Sequence, residues 1–142
     1  MQRKKREQER KYSIKELFET EKDFCTEMTL VHEAFAADTA APWDFDKAAL
    51  FGELECVVAF SSNLVHCLEA ELAANDDTQV KIALCLTESS EDMKLVYAKY
   101  LQSHSNTAAL IKTYESMPRF SEYIASRLRL VASVKQRVVI AI

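Results

Sequence analysis

The sequence predicts an all-α fold, an elongated bundle of antiparallel helices, and three observations carry that prediction. One glycine and two prolines in 142 residues leave almost nothing to punctuate strands and hairpins. Long uninterrupted stretches of good helix formers fill the chain between them. Apolar residues also recur every three or four positions, the spacing that gives a helix one buried face. A length of 142 residues suits one domain, and 49% hydrophobic residues can supply its core.

The first helix is expected from about Arg3 to Ala37. Ile14, Leu17, Phe18, Phe24, Cys25, Met28, Val31 and Phe35 form its inward stripe, while Lys15, Glu19, Lys22 and Thr26 stay wet. Glu21 falls within that stripe and Glu16 at its edge, although burying an unpartnered charge is costly, so these carboxylates mark a chosen acidic feature. Upstream, Arg3 with Glu7, Lys5 with Glu9 and Glu7 with Lys11 are i,i+4 pairs that extend the helix into solvent. The segment Asp38 to Asp46, with Pro42, reads as a loop, and Asp46 as the N-cap of the next helix. That second helix sets Leu50, Leu54, Val57, Val58, Ser61, Leu64, Val65, Leu68 and Leu72 on one face and breaks at residues 75–77, Asn-Asp-Asp. A third helix is expected over Thr78 to Gln102, and a fourth, capped by Ser105, over Asn106 to Met117. A fifth begins near Pro118, where proline suits a first turn.

Cys25, Cys56, Cys67 and Cys85 are widely spread without a CxxC pair and read as reduced core residues of an intracellular protein. The N-terminus is charged where a signal peptide needs an apolar segment, and the longest uncharged run, Cys56 to Leu68, contains serines, an asparagine and a histidine. A cytoplasmic chain without a membrane span is expected. Charge falls in three blocks: residues 1–11 carry six basic and two acidic residues, 12–122 eight basic and twenty acidic, and 123–142 four basic and none acidic. The basic ends read as solvated helix rather than as nucleic-acid or lipid-binding segments, so membrane contact is expected only indirectly. His32, His66 and His104 lack metal-ligand spacing, one glycine excludes a phosphate-binding loop, and no Ser, His and Asp arrangement stands out. No metal, cofactor or covalent chemistry is therefore expected. Ser61 and Ser89 read by residue type as helix-surface or capping residues, and Tyr97, Tyr100, Tyr114 and Tyr123 as core residues with a polar tip outward.

Four segments, in order, resemble one family. Ile14, Glu16, Leu17, Thr20, Glu21 and Phe24 resemble the first conserved region of the Dbl homology domain, the exchange module for Rho-family GTPases. The stretch LFGELECVVAFSSNLVHCLE, with Leu50, Phe51, Gly52, Leu54, Phe60, Leu64 and Leu68, resembles that family's second helix. VYAKYLQSHSNTAALIKTYE, from Val96 to Glu115, and PRFSEYI, from Pro118, resemble the segments that follow. Together the matches cover roughly residues 12 to 125 and are far more specific than any one alone.

The resemblance implies a guanine nucleotide exchange factor module whose partner is a Rho-family small GTPase. It places Glu16 against the first switch loop, puts Glu19 and Thr20 in the GTPase-binding set, and gives structural roles to Glu21, Leu50, Phe51, Phe60 and Tyr97. Such a module makes and breaks no covalent bond. The chain departs from the family's third region: Lys135, Gln136 and Arg137 resemble its KPxQR core without the proline, and Ile140 stands where a lysine is expected. The expected organisation is a basic helical extension over 1–11, a partial Dbl homology domain over 12–125 and a divergent basic and apolar tail over 126–142. A domain truncated before or within the third region is expected to be weak or inactive in exchange, with Val138, Val139, Ile140 and Ile142 covering part of the exposed apolar surface. No pleckstrin homology domain is visible, which fits truncation or the Tuba-like members that pair this domain with a curved membrane-binding one. The alternative is a non-catalytic helical interaction or scaffold module that self-associates through uncovered apolar stripes.

Overall fold

The computed structural model of the chain describes residues 1–36, 45–74 and 81–141. The expected loop over Asp38 to Asp46 lies largely outside those residues, as do the expected break at 75–77 and the side chains of the C-terminal tail. Five α-helices account for most of the described chain: α1 over Gln2–Val31, α2 over Lys47–Phe51, α3 over Leu54–Ala74, α4 over Ile82–Tyr114 and α5 over Pro118–Ala141. Among the described residues there is no strand. The chain is an all-α bundle, as its composition and periodicity predict.

Contacts define the topology. Glu21 of α1 meets Ser61 of α3, and Phe18 packs beside Phe60, Leu64 and Leu68, so α3 runs back along α1. Cys67 meets Cys85, Phe60 meets Tyr97, and Thr107 reaches the Ala49 carbonyl, so α4 runs antiparallel to α3. The central position of α3 explains its apolar character. Lys47–Ala74 is long and apolar enough to cross a membrane, yet Leu54, Val57, Phe60, Ser61, Leu64 and Leu68 are spent on contacts inside the bundle.

Two small cores lie along the length rather than one at the centre. The middle core joins Phe60, Leu64, Leu68 and Cys85, with Phe18 and Tyr97 packed against it. The end core is aromatic: Phe35, Phe45, Phe120 and Tyr123 are buried with Ala34 and Leu50. Its ring centroids are separated by 5.1 Å for Phe35–Phe51 and 5.3 Å for Phe45–Phe120, distances at which each pair adds about 0.5–1.5 kcal/mol beyond its burial. At this end α1 loosens into a π-helical turn, His32–Ala36, which brings Ala34 and Phe35 into the core. The short α2 starts at Asp46, whose Oδ1 accepts from the Ala49 N–H at 3.1 Å as the N-cap spacing predicts. Tyr114 fastens that start to α4 by accepting from the Asp46 N–H at 3.1 Å.

Several expectations are corrected. The expected second helix is two, α2 and α3, because the chain turns at Gly52. The expected third and fourth helices are one, α4, of 33 residues. The polar run around residue 105 does not stop it, because its hydroxyls find carbonyls in place of cap donors. Ser103 Oγ donates to the Tyr100 carbonyl at 2.9 Å, and Thr107 Oγ1 to that of Ala49 at 3.3 Å. Leu17 is 37% exposed, on the flank of the α1 stripe rather than within it. Of the four cysteines only Cys85 is buried, and Cys56 is exposed on the outer side of α3. The expected fifth helix does begin at Pro118, and it passes residue 125 without interruption.

Candidate functional site

The rotation of α1 decides which of its carboxylates meet solvent. Ile14, Phe18, Glu21, Cys25 and Met28 are three or four residues apart and are at least partly buried together. Their shared direction leaves Glu16, Glu19, Thr20, Asp23 and Glu27 on the opposite side, all exposed. Glu16 therefore stands opposite the inward stripe and not at its edge. At 100° per residue, the five steps from Glu16 to Glu21 turn the helix by about 140° beyond one full revolution, so one points out when the other points in.

The outward face is lightly tied. Lys15 Nζ lies 4.0 Å from Glu19 Oε1, with both side chains well exposed, a pair worth little in water. No ion pair or hydrogen bond among the described residues engages Glu16. Its carboxylate is held on a rigid helix and is available to donors arriving from outside, the arrangement that makes charge-assisted hydrogen bonds effective.

The structural set lies on the inner side. Ser61 is 0% exposed, and its hydroxyl donates to Glu21 Oε1 at 2.7 Å. Tyr97 lies edge-on to Phe60 at 5.9 Å, and burial, followed by the nearby Glu21 charge, raises its phenol above the ordinary range. Leu50 is buried in the aromatic end core with Phe51 packed against it. The sequence-predicted residues thus divide: Glu16, Glu19 and Thr20 share the solvent face, Glu21, Phe60 and Tyr97 meet in the middle core, and Leu50 and Phe51 lie at the far end. Ser61 is the residue that sequence reasoning undervalued. Its signal was a serine on the inward face of one helix and a glutamate on the inward face of another. Lys135, Gln136, Arg137 and Ile140 continue the backbone of α5.

Burial elsewhere suppresses reactivity. The Cys85 thiol is pushed up to about 12, first by burial and then by its contact with Cys67, so it stays protonated at neutral pH. Among the described residues no three His, Cys, Asp or Glu side chains come together as a metal set.

An antiparallel helical bundle that presents a solvent-exposed acidic helix face has the geometry of a protein-recognition module. The family can be stated outright: the RhoGEF domain model matches residues 13–135, and the chain belongs to that family. It is an exchange-factor module whose partner is a Rho-family GTPase. No curated protein and no solved structure matches the chain.

Proposed function

We propose that the outward face of α1, with Glu16 at its centre and Glu19 and Thr20 beside it, is the surface through which this chain grips its GTPase. The observation that carries the reading is the exposed and unpaired Glu16 carboxylate on the family-matching helix. An exchange factor works by differential binding: it must hold the nucleotide-free GTPase more tightly than the loaded one, so that release of nucleotide becomes easier. A fixed carboxylate contributes by accepting from backbone amides and hydroxyls of a switch loop, in competition with the loop's contacts around the nucleotide.

The 142-residue chain is a weak exchange catalyst in this reading. Ile140 stands where the family pattern has a lysine for the second switch, and an apolar side chain supplies neither the charge nor the hydrogen-bond donors of an ammonium group. Labelled-GDP release from a panel of Rho-family GTPases tests this, with release near background expected and strong acceleration contradicting it. Binding to the nucleotide-free GTPase is expected to survive and to fall sharply in Glu16→Ala; unchanged binding in that variant contradicts the role of Glu16.

A second reading, a helical interaction module without exchange activity, is favoured by the exposed apolar residues of α4 and α5. Leu84, Leu95, Leu101, Leu128 and Leu130 are all exposed. Under that reading alone, Glu16→Ala would leave partner binding intact.

A further inference from the structure

We infer that the Glu21–Ser61 hydrogen bond is a positioning device that fixes the rotation and register of α1 against α3, and so aims Glu16 at the GTPase. The inference rests on the proposed role of Glu16 and adds to it the residues that set its direction.

The pair stands out because its neighbours are nearly all apolar. Phe18, Cys25 and Met28 line the inward side of α1, and Val57, Phe60 and Leu64 the facing side of α3. Apolar contact of this kind tolerates sliding and rotation, since one methyl group packs about as well as its neighbour. A carboxylate and a hydroxyl do not tolerate it. Ser61 is 0% exposed, and its hydroxyl ignores the carbonyl one turn back in its own helix to reach across to Glu21 at 2.7 Å. Tyr97 of α4 stands edge-on to Phe60, the neighbour of Ser61, near enough for the Glu21 charge to help raise its phenol. The carboxylate is thus tied across the α1–α3 contact, beside the middle core that α4 completes.

A slip of α1 by one residue rotates it by about 100°, which would leave the Ser61 hydroxyl buried without its partner and carry Glu21 away from it. Single buried polar pairs of this kind select one register among several that apolar packing leaves close in energy. Glu16 lies about 7.5 Å along the same rigid helix. Locking Glu21 inward therefore locks Glu16 outward, and the same constraint turns Glu19 and Thr20 to that face.

The test compares four forms of the 142-residue chain with the parent: E16A, E21Q, S61A and E21L/S61A. Affinity for a nucleotide-free Rho-family GTPase is measured alongside thermal unfolding. The double variant replaces the polar pair with apolar groups, so its unfolding temperature should hold or rise while its affinity falls by about tenfold or more, the loss expected when a charge-assisted hydrogen bond is misdirected. E21Q keeps an acceptor for the Ser61 hydroxyl and should bind like the parent. Parent-like affinity in a well-folded E21L/S61A overturns the inference. Should that variant not unfold cooperatively, E21Q against S61A decides: weaker binding by S61A alone supports the pair, and equal binding overturns it. E16A separates the two claims. If E16A binds normally the reading of Glu16 fails, whereas loss in E16A with parent-like E21L/S61A sinks only the positioning role. A chain that binds no nucleotide-free GTPase contradicts both.

Discussion

At Gly52 a Cβ would collide with the carbonyl oxygen of Ala48, in the turn that separates α2 from α3. The glycine is required for space, since its backbone is an ordinary right-handed turn at φ −59° and ψ −30°. Gly52→Ala is expected to cost about 1–3 kcal/mol, the usual cost of forcing a backbone shift in a packed region, seen as a lower midpoint in denaturant unfolding. An unchanged midpoint would mean that the turn relaxes freely. Cys85 and Tyr97 make a second prediction, in pH. Both hold their protons more tightly in the folded chain than at their ordinary values of 9.0 and 10.0. Groups raised on folding stabilise fully below the unfolded values, and that stability is lost as pH rises through the folded ones. The unfolding temperature should therefore fall as pH climbs above about 9, and the fall should be shallower in Cys85→Ala. An equal slope in the two proteins would show that Cys85 contributes nothing. Gly52 was legible in the sequence as part of the Leu-Phe-Gly match, but its turn was not, because the apolar stripe runs on through it from Leu50 to Leu54. The burial of Ser61 was only half legible, because a serine on an apolar face is read correctly only once its partner on another helix is known.

The continuity of α4 makes a prediction at the scale of the element. Proline at Ser105 would remove a helix-interior donor and strike the carbonyl one turn back, costing about 3 kcal/mol or more. Had a helix started at Asn106, proline there would have been tolerated. Thermal unfolding of Ser105→Pro distinguishes the two, with a large drop expected. The periodicity identified α1 and α3 because their apolar stripes are long, and Pro118 marked the start of α5. It divided α4 wrongly because Ser103, Ser105 and Thr107 look like a cap in isolation. Whether a hydroxyl caps a new helix or bonds back to a carbonyl depends on what stands nearby, and Thr107 reaches α2, fifty-eight positions earlier in the chain. The i,i+4 pairs of the first turns, Arg3–Glu7 at 3.2 Å and Lys5–Glu9 at 4.0 Å, were legible because both partners lie on one helix.

The whole molecule exposes 10226 Å², whereas a compact monomer of its mass exposes about 7,500 Å². The excess reflects a thin, elongated bundle with two small cores and uncovered helix faces. Leu95 is 65% and Leu101 67% exposed on α4, and Leu128 is 56% exposed on α5. Such surface favours association, so the apparent mass in light scattering should grow with concentration, and Leu95→Glu with Leu128→Glu should reduce that growth. A constant monomer mass would contradict it. At this scale the family was legible from four motifs in order, because each carries residues that helix packing requires. The direction of Glu16 was not, because the inward stripe of α1 is narrower than its apolar residues suggest: Leu17 falls on the flank and leaves Glu16 opposite the core. In the proposed function it is this outward face of α1 that meets the GTPase. A photo-reactive residue at Asp23, two turns from Glu16 on the same face, tests it most directly, with one at the exposed Ala98 of α4 as control. Crosslinking to a nucleotide-free Rho-family GTPase from position 23, weak with the GDP-loaded form and absent from position 98, is the predicted result. Crosslinking from position 98 in preference to position 23 would contradict the account.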